Sequence, residues 1–199
     1  VTETHIFYAA ADCTGHGVPG AMVSVVCANA LTRAVREFKL TDPGQILGKT
    51  RELVLETFAK SSSDVKDGMD ISLVAIDKQN NRIFWSGANN PLWYLENGKM
   101  KSNRADKQPI GKTDNPKPFK THEVEHIKGT VFYLFTDGIA DQFGGEKGKK
   151  FKYKKLESIL LTNAQLPFSQ QYENLSREFK TWKGNLEQVD DICVIGFRL

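Results

Sequence analysis

Between Asp70 and Met100 the apolar runs DISLVAI, RIFWS and LWYL are separated by DKQNN and GANNP and followed by ENG. Asn, Asp, Gly and Pro favour tight turns for distinct backbone and side-chain reasons, so the three runs read as strands of an antiparallel meander. The helical segments are consecutive too. Residues Ala21 to Lys39 carry helix-length apolar periodicity with Pro19 in the first turn, and the stretch 41–62 restarts a helix behind Asp42 as its cap, with Pro43 in its first turn. Strands arriving in one cluster and helices in another argue against a parallel alternation of strand and helix. The chain reads as an α+β protein of antiparallel sheets with helices on their outer faces.

Further runs fill in this outline. HIFYAAA, His5 to Ala11, reads as a buried strand ending at Asp12; FKTHEVEHI alternates as a half-buried strand; TVFYLFTDG is a nearly continuous apolar run ending at an acid; DDICVIGFRL closes the chain as a strand headed by acids. Leu156 to Thr162 and Gln170 to Trp182 read as helices, and Lys101 to Lys120 as a loop. With 199 residues, 40% of them hydrophobic, residues 1–199 are expected to form a single domain with a sizeable core. The chain opens at Val1 without a methionine and enters a strand almost at once, so it reads as a domain truncated at its N-terminus. A net charge of +3 is far from the concentrated basic surface of a nucleic-acid-binding protein, and no nucleic-acid partner is expected. Cys13, Cys27 and Cys193 have no zinc-site spacing, and their odd number suits a reducing, cytoplasmic setting. No apolar run is expected to approach the roughly 20 residues of a bilayer span, and the first ten residues lack a signal peptide's features. Anchoring of the full-length protein in a membrane is left open.

AADCTGHGVPGAM, Ala10 to Met22, puts an acid, a histidine and three glycines into one turn, as a site needing close backbone approach would. Acids stand at one end of three apolar strands: Asp12, Asp137, and the pair Asp190 and Asp191. A carboxylate beside a buried run must be paired, hydrogen-bonded or bound to a metal. Brought together, these acids would hold Mg²⁺ or Mn²⁺, which prefer oxygen ligands and need no histidine or cysteine cluster. Taken singly, each acid reads more readily as a turn former or helix cap than as a metal ligand, and His16 more readily as a turn residue than as a catalytic group. GHGVPG is followed by no Lys-Ser/Thr pair, which disfavours a phosphate-cradling loop. The basic stretch EKGKKFKYKK, Glu146 to Lys155, reads as a solvated face or, more sharply, as a docking flap for an acidic phosphoprotein.

The ordered set ADCTGHGVPGAMVS, DGMDISLVAID, SGANNPLWYL, YLFTDGIADQFGG and VDDICVIGF resembles the SpoIIE-type (stage II sporulation protein E) serine phosphatases. These are a branch of the metal-dependent type 2C protein phosphatases that includes regulators of anti-sigma-factor antagonists. The resemblance spans essentially the whole chain. It implies two antiparallel sheets packed face to face between outer helices, a four-layer α-β-β-α sandwich with two Mn²⁺ or Mg²⁺ ions at one end. It assigns Asp12 as the carboxylate shared by both ions and the backbone carbonyl of Cys13 as a further ligand. Asp137 and Asp190 complete one ion, Asp191 stands behind the ligands, and Asp70, with Asp67 after it, falls where relatives hold a third, weaker ion. The implied reaction is hydrolysis of phosphoserine or phosphothreonine on a bacterial signalling protein by a metal-bound water, without a covalent intermediate. His16 is then a candidate proton donor to the leaving oxygen. The implied partners are a phosphoprotein substrate and an upstream sensor or regulatory domain, with a homodimer left open. One departure stands out: a further metal-binding aspartate, carried by relatives in a G-D-F-Y-like segment upstream of the glycine motif, is absent from these residues, so weak occupancy of the second ion is expected for this chain. A non-catalytic, phosphoprotein-binding module is the rival reading.

Overall fold

A strand that is apolar at every position must be covered on both faces, and the chain meets that demand with four layers. The computed structural model describes residues 1–59 and 67–199. In chain order they form β1 (His5–Cys13), α1 (Gly17–Arg36), α2 (Pro43–Ala59), β2 (Met69–Asp77), β3 (Arg82–Ala88), β4 (Leu92–Glu96), β5 (Lys99–Asn103), β6 (His122–Val124), β7 (Val131–Phe135), α3 (Gly138–Asp141), β8 (Phe143–Gly144), β9 (Lys149–Lys150), α4 (Tyr153–Asn163), α5 (Phe168–Lys183) and β10 (Val194–Arg198). One sheet runs β1-β2-β3-β6, the other β10-β7-β4-β5, and β8-β9 form a hairpin; all these ladders are antiparallel.

The period-two alternation of strand side chains sorts the core into three bands. From β2, Ile71 and Leu73 pack against Val23, Cys27 and Ala30 of α1 and Ile46, Leu47 and Val54 of α2. Their neighbours Val74 and Ile76 point the other way and meet Phe132 and Leu134 of β7, with Trp85 and Phe197, between the sheets. On the far side of β7, Val131, Tyr133 and Phe135 pack with Leu156 and Leu160 of α4 and with Phe168 and Phe179 of α5. Two polar pairs are sealed in these bands. Trp85 Nε1 donates to Ser72 Oγ at 2.8 Å, and Tyr133 Oη donates to Gln171 Oε1 at 2.8 Å.

The predicted cap of α2 is present: Asp42 Oδ1 accepts from the Gln45 backbone N–H at 2.9 Å and from Thr121 Oγ1 at 2.7 Å, which also ties the long 104–121 connection to the helix. The structure corrects the sequence reading in several places. α1 starts at Gly17, with Pro19 in its first turn as expected, but ends at Arg36 rather than Lys39. Part of the 101–120 stretch read as a loop belongs to β5, because Asn97 and Gly98 both adopt positive φ, 49° and 74°, and reverse the chain tightly onto β4. β6 is only three residues long, and β10 begins at Val194, so Asp190 and Asp191 precede the strand rather than start it. α3 and the β8-β9 hairpin carry no periodic signal and were not expected. The last three residues of the helix read over 41–62 lie outside the described residues. Contrary to the sequence expectation, α1 is long and apolar enough, by length and composition, to cross a membrane. In this fold it lays Gly20, Val23, Cys27, Ala30 and Ala34 against the first sheet, while Val18, Met22 and Val25 are exposed.

Replacing Ser72 with Ala leaves the buried Trp85 N–H without its acceptor. Stability should fall by about 1–3 kcal/mol in urea unfolding; an unchanged midpoint would show that the sheets do not depend on this bond.

Candidate functional site

Three chain segments reach one end of the sandwich, each carrying an acid. Asp12 is next to last in β1 and lies opposite Asp70 of β2 in the ladder. Asp137 follows β7 and stands at the N-cap of α3, and Asp190 sits in the segment leading into β10. One carboxylate oxygen from each of Asp12, Asp137 and Asp190 lies within 4.8 Å of the others. The three acids singled out from three distant parts of the sequence thus form one cluster.

Neighbouring backbone fixes each arm. The Thr136 N–H donates to the Cys193 carbonyl at 3.0 Å and Thr136 Oγ1 accepts from the Cys193 N–H at 3.0 Å, which staples the residue before Asp137 to the β10 segment. A Cβ on Gly138 would overlap the Asp191 carbonyl oxygen, so only glycine lets the Asp137 turn and the Asp190 segment lie this close. Fully buried Gln142, at the end of α3, donates to the Glu187 carbonyl at 2.9 Å and accepts from the Val189 N–H at 3.2 Å. On the Asp12 side, Thr14 Oγ1 donates to Asp67 Oδ1 at 2.9 Å and accepts from the Gly68 N–H at 3.0 Å, clamping the glycine turn to the start of β2. The turn then folds back so that a Cβ on Gly20 would lie 2.6 Å from the Gly15 carbonyl oxygen. That close approach explains Gly20, while Gly15 and Gly17 hold positive φ, 88° and 64°, which side-chain-bearing residues rarely adopt.

The acids repel one another. Burial, then the charges of Asp190, Asp137, Asp191 and Asp70, push Asp12 up to about 6. Asp137 is raised by burial and by Asp141 and Asp190, with Lys150 opposing; Asp70 is raised by burial, against a hydrogen bond from Asn89 Nδ2 at 2.8 Å. Burial first, then Asp137, Asp141 and Asp70, push the Tyr153 phenol up to about 12, so its ring stands at the edge of the same field. Three oxygen donors with an unbalanced negative charge and no histidine or cysteine among them fit a hard divalent cation such as Mg²⁺ or Mn²⁺.

The remaining predicted residues divide. Asp191 is exposed, donates its N–H to Asp190 Oδ1 at 2.8 Å and lies outside the three-acid cluster. Asp70 faces Asp12 but is held by Asn89, and Asp67 serves the Thr14 clamp. His16 is exposed at the N-cap position of α1 without a capping bond, and with Asp12 and Cys13 it lines a cavity of about 430 Å³. In the basic stretch, Lys150 pairs with Asp141 at 2.9 Å and Lys155 with Glu178 at 3.6 Å, so part of that charge is used internally. Thr14, Asn89, Thr136 and Gln142 were missed by sequence reasoning. The first three stand beside motif glycines or acids, while Gln142 gives no local signal.

Residues 2–199 match the family model of stage II sporulation protein E, SpoIIE. The chain belongs to the SpoIIE family. Its structure resembles the SiaA-PP2C domain of Pseudomonas aeruginosa, with 28% identity and a TM-score of 0.87 over 98% of this chain and 79% of that one. It also resembles the PP2C phosphatase domain, solved with a fragment of the regulatory domain, of SpoIIE from Bacillus subtilis, with 16% identity and a TM-score of 0.74 over 98% and 53%. A third neighbour, RsbX in complex with magnesium, shares 16% identity and a TM-score of 0.62 over 98% and 82%. The latter two show the fold, an α+β sandwich of the type 2C phosphatase kind. No curated protein sequence matches the chain significantly.

In the cation-free SpoIIE domain, protonating Asp12 favours the folded state, because its folded value lies above the ordinary 3.8. The associated stabilisation is full below 3.8 and lost as pH rises through about 6. Asp190→Asn should move the Asp12 midpoint down towards 3.8, as read by carbon-13 NMR titration without divalent metal. A midpoint that stays near 6 would mean that the Asp190 charge does not contribute to it.

Proposed function

We propose that this SpoIIE-family domain hydrolyses phosphoserine or phosphothreonine on a bacterial signalling protein in a Mn²⁺- or Mg²⁺-dependent reaction. The observation that carries this reading is the meeting of Asp12, Asp137 and Asp190 within 4.8 Å at one end of a type 2C phosphatase sandwich. Asp12, Asp137 and Asp190 are the carboxylates that would hold an ion, joined by the Cys13 carbonyl. Asp12 would be shared with a second ion, and Asp70 would serve a further, weaker one. When bound, such ions activate a water and offset charge on the phosphoryl oxygens.

The chain's own residues supply position and proton. The Thr136 staple and the Gln142 bonds hold the Asp137 and Asp190 arms at fixed separation. Asp191 contributes charge behind the ligands, since its field also raises Asp12. His16, exposed and lining the same cavity as Asp12, would give a proton to the departing seryl oxygen. The magnesium complex of RsbX supports a divalent cation, and the regulatory-domain fragment solved with the B. subtilis phosphatase domain supports control by a further domain. The full-length protein would therefore carry a sensor or regulatory segment and act on a phosphoprotein in the cytoplasm, with self-association into a homodimer included in the reading.

Isothermal titration of Mn²⁺ into Asp137→Asn should show affinity at least about 100-fold below the unsubstituted domain, because a direct ligand matters more than the outer-shell partners whose loss costs 10–100-fold. The same change in the full-length protein should remove Mn²⁺-dependent phosphate release from a phosphoserine protein. Unchanged Mn²⁺ affinity would sink the assignment of the site. Intact binding in the full-length protein, with no phosphate released from phosphoproteins, would favour a binding module.

A further inference from the structure

The β8-β9 hairpin and the start of α4 carry the basic stretch Glu146 to Lys155, with six lysines against one glutamate. The fold anchors this stretch at several points. Phe151 is buried, with its ring against Phe179 and Trp182. The Phe151 N–H donates to the Gln142 carbonyl and the Lys152 N–H to the Ala140 carbonyl, both at 2.8 Å, and the Gly145 N–H donates to the Trp182 carbonyl at 2.7 Å. The lysines are thereby fixed beside α3, the helix that has Asp137 at its N-cap. Asp141, whose N–H donates to the Asp137 carbonyl at 3.0 Å, is the partner of Lys150. Lys150 and Lys155 are taken up by Asp141 and Glu178. Lys147, Lys149, Lys152 and Lys154 are exposed and form no ion pair with a described residue.

We propose that these four lysines form a docking surface for acidic residues close in sequence to the phosphorylated residue of a protein substrate. The inference rests on the proposed phosphatase reaction and narrows its substrates to phosphoproteins whose phosphorylated segment is acidic. Asp67, Asp70, Asp190 and Asp191 stand at the same end of the sandwich, so an acidic segment is repelled on their side and attracted on the hairpin side. An exposed lysine contributes little alone, whereas four on one short, anchored stretch act together. They act on the encounter with the substrate, and salt screens them.

The first measurement titrates an acidic serine peptide, with Asp and Glu around the serine, and a neutral peptide, with Asn and Gln in their places, into the nitrogen-15-labelled 199-residue protein without divalent metal. The acidic peptide should shift the backbone amide signals of Lys147, Lys149, Lys152 and Lys154, and the neutral peptide should leave them in place. Salt at about 1 M, with a Debye length of about 3 Å, should abolish the shifts. The second measurement compares kcat/KM of the full-length protein with Mn²⁺ on the phosphoserine forms of the two peptides. The acidic form should be favoured about tenfold at low salt, the lower end of electrostatic steering. Lys149→Glu combined with Lys154→Glu should abolish that preference, while Lys128→Glu, before β7 at the other end of the sandwich, should not change it.

Mapping on the unsubstituted chain keeps the test valid if the double variant folds poorly. Shifts confined to other residues, equal shifts with the neutral peptide, or stronger shifts with phosphatidylglycerol vesicles, which would make the surface a membrane contact, would each overturn the proposal. Equal kcat/KM on the two phosphopeptides would overturn it while leaving the phosphatase reaction intact. If neither phosphopeptide is dephosphorylated and the hairpin amides still shift, the proposed function fails and the docking surface stands.

Discussion

Mutual repulsion among Asp12, Asp137 and Asp190 is the constraint on which the rest of the structure turns. Like charges within 4.8 Å, two of them at partly buried positions and Asp190 exposed, do not assemble unaided; the folded chain has to hold them there. Burial, and then the neighbouring charges, push Asp12 up to about 6. In the proposed function a divalent cation would offset that repulsion.

That presentation depends on covering both faces of two sheets. β1 and β7 belong to different sheets, and their ends come together only because Val74, Ile76, Phe132, Leu134 and Phe197 pack between them. The outer helices seal the remaining faces and add local devices: the Asp42 cap ties α2 to Thr121, and the close approach of Gly20 to Gly15 starts α1 directly against the glycine turn. Gly138 and Thr136 play the equivalent part on the β7 side, where the Asp190 segment lies against them. Packing, turn geometry and electrostatics converge on one end of the molecule.

Much of this was legible in the sequence because it is local. The runs of β2, β3 and β4 announced themselves through turn residues, and β7 through an unbroken apolar stretch that demands cover on both sides. Asp12, Asp137 and Asp190 were visible as acids closing or preceding such runs, although their convergence is a property of sheet order that no single segment encodes. What escaped reading was non-local or aperiodic. Gln142 matters through partners at Glu187 and Val189, more than forty residues away, and β8-β9 is a hairpin of two-residue strands too short for any period to register. β5 was hidden because its polar sequence, KMKSN, forms an edge strand with little to bury.

The most direct measurement of the central claim is anomalous diffraction from crystals grown with Mn²⁺, collected on both sides of the manganese absorption edge. The account predicts an edge-dependent peak bounded by the carboxylates of Asp12, Asp137 and Asp190. A difference map with no peak there, or with manganese bound only elsewhere on the surface, would contradict it.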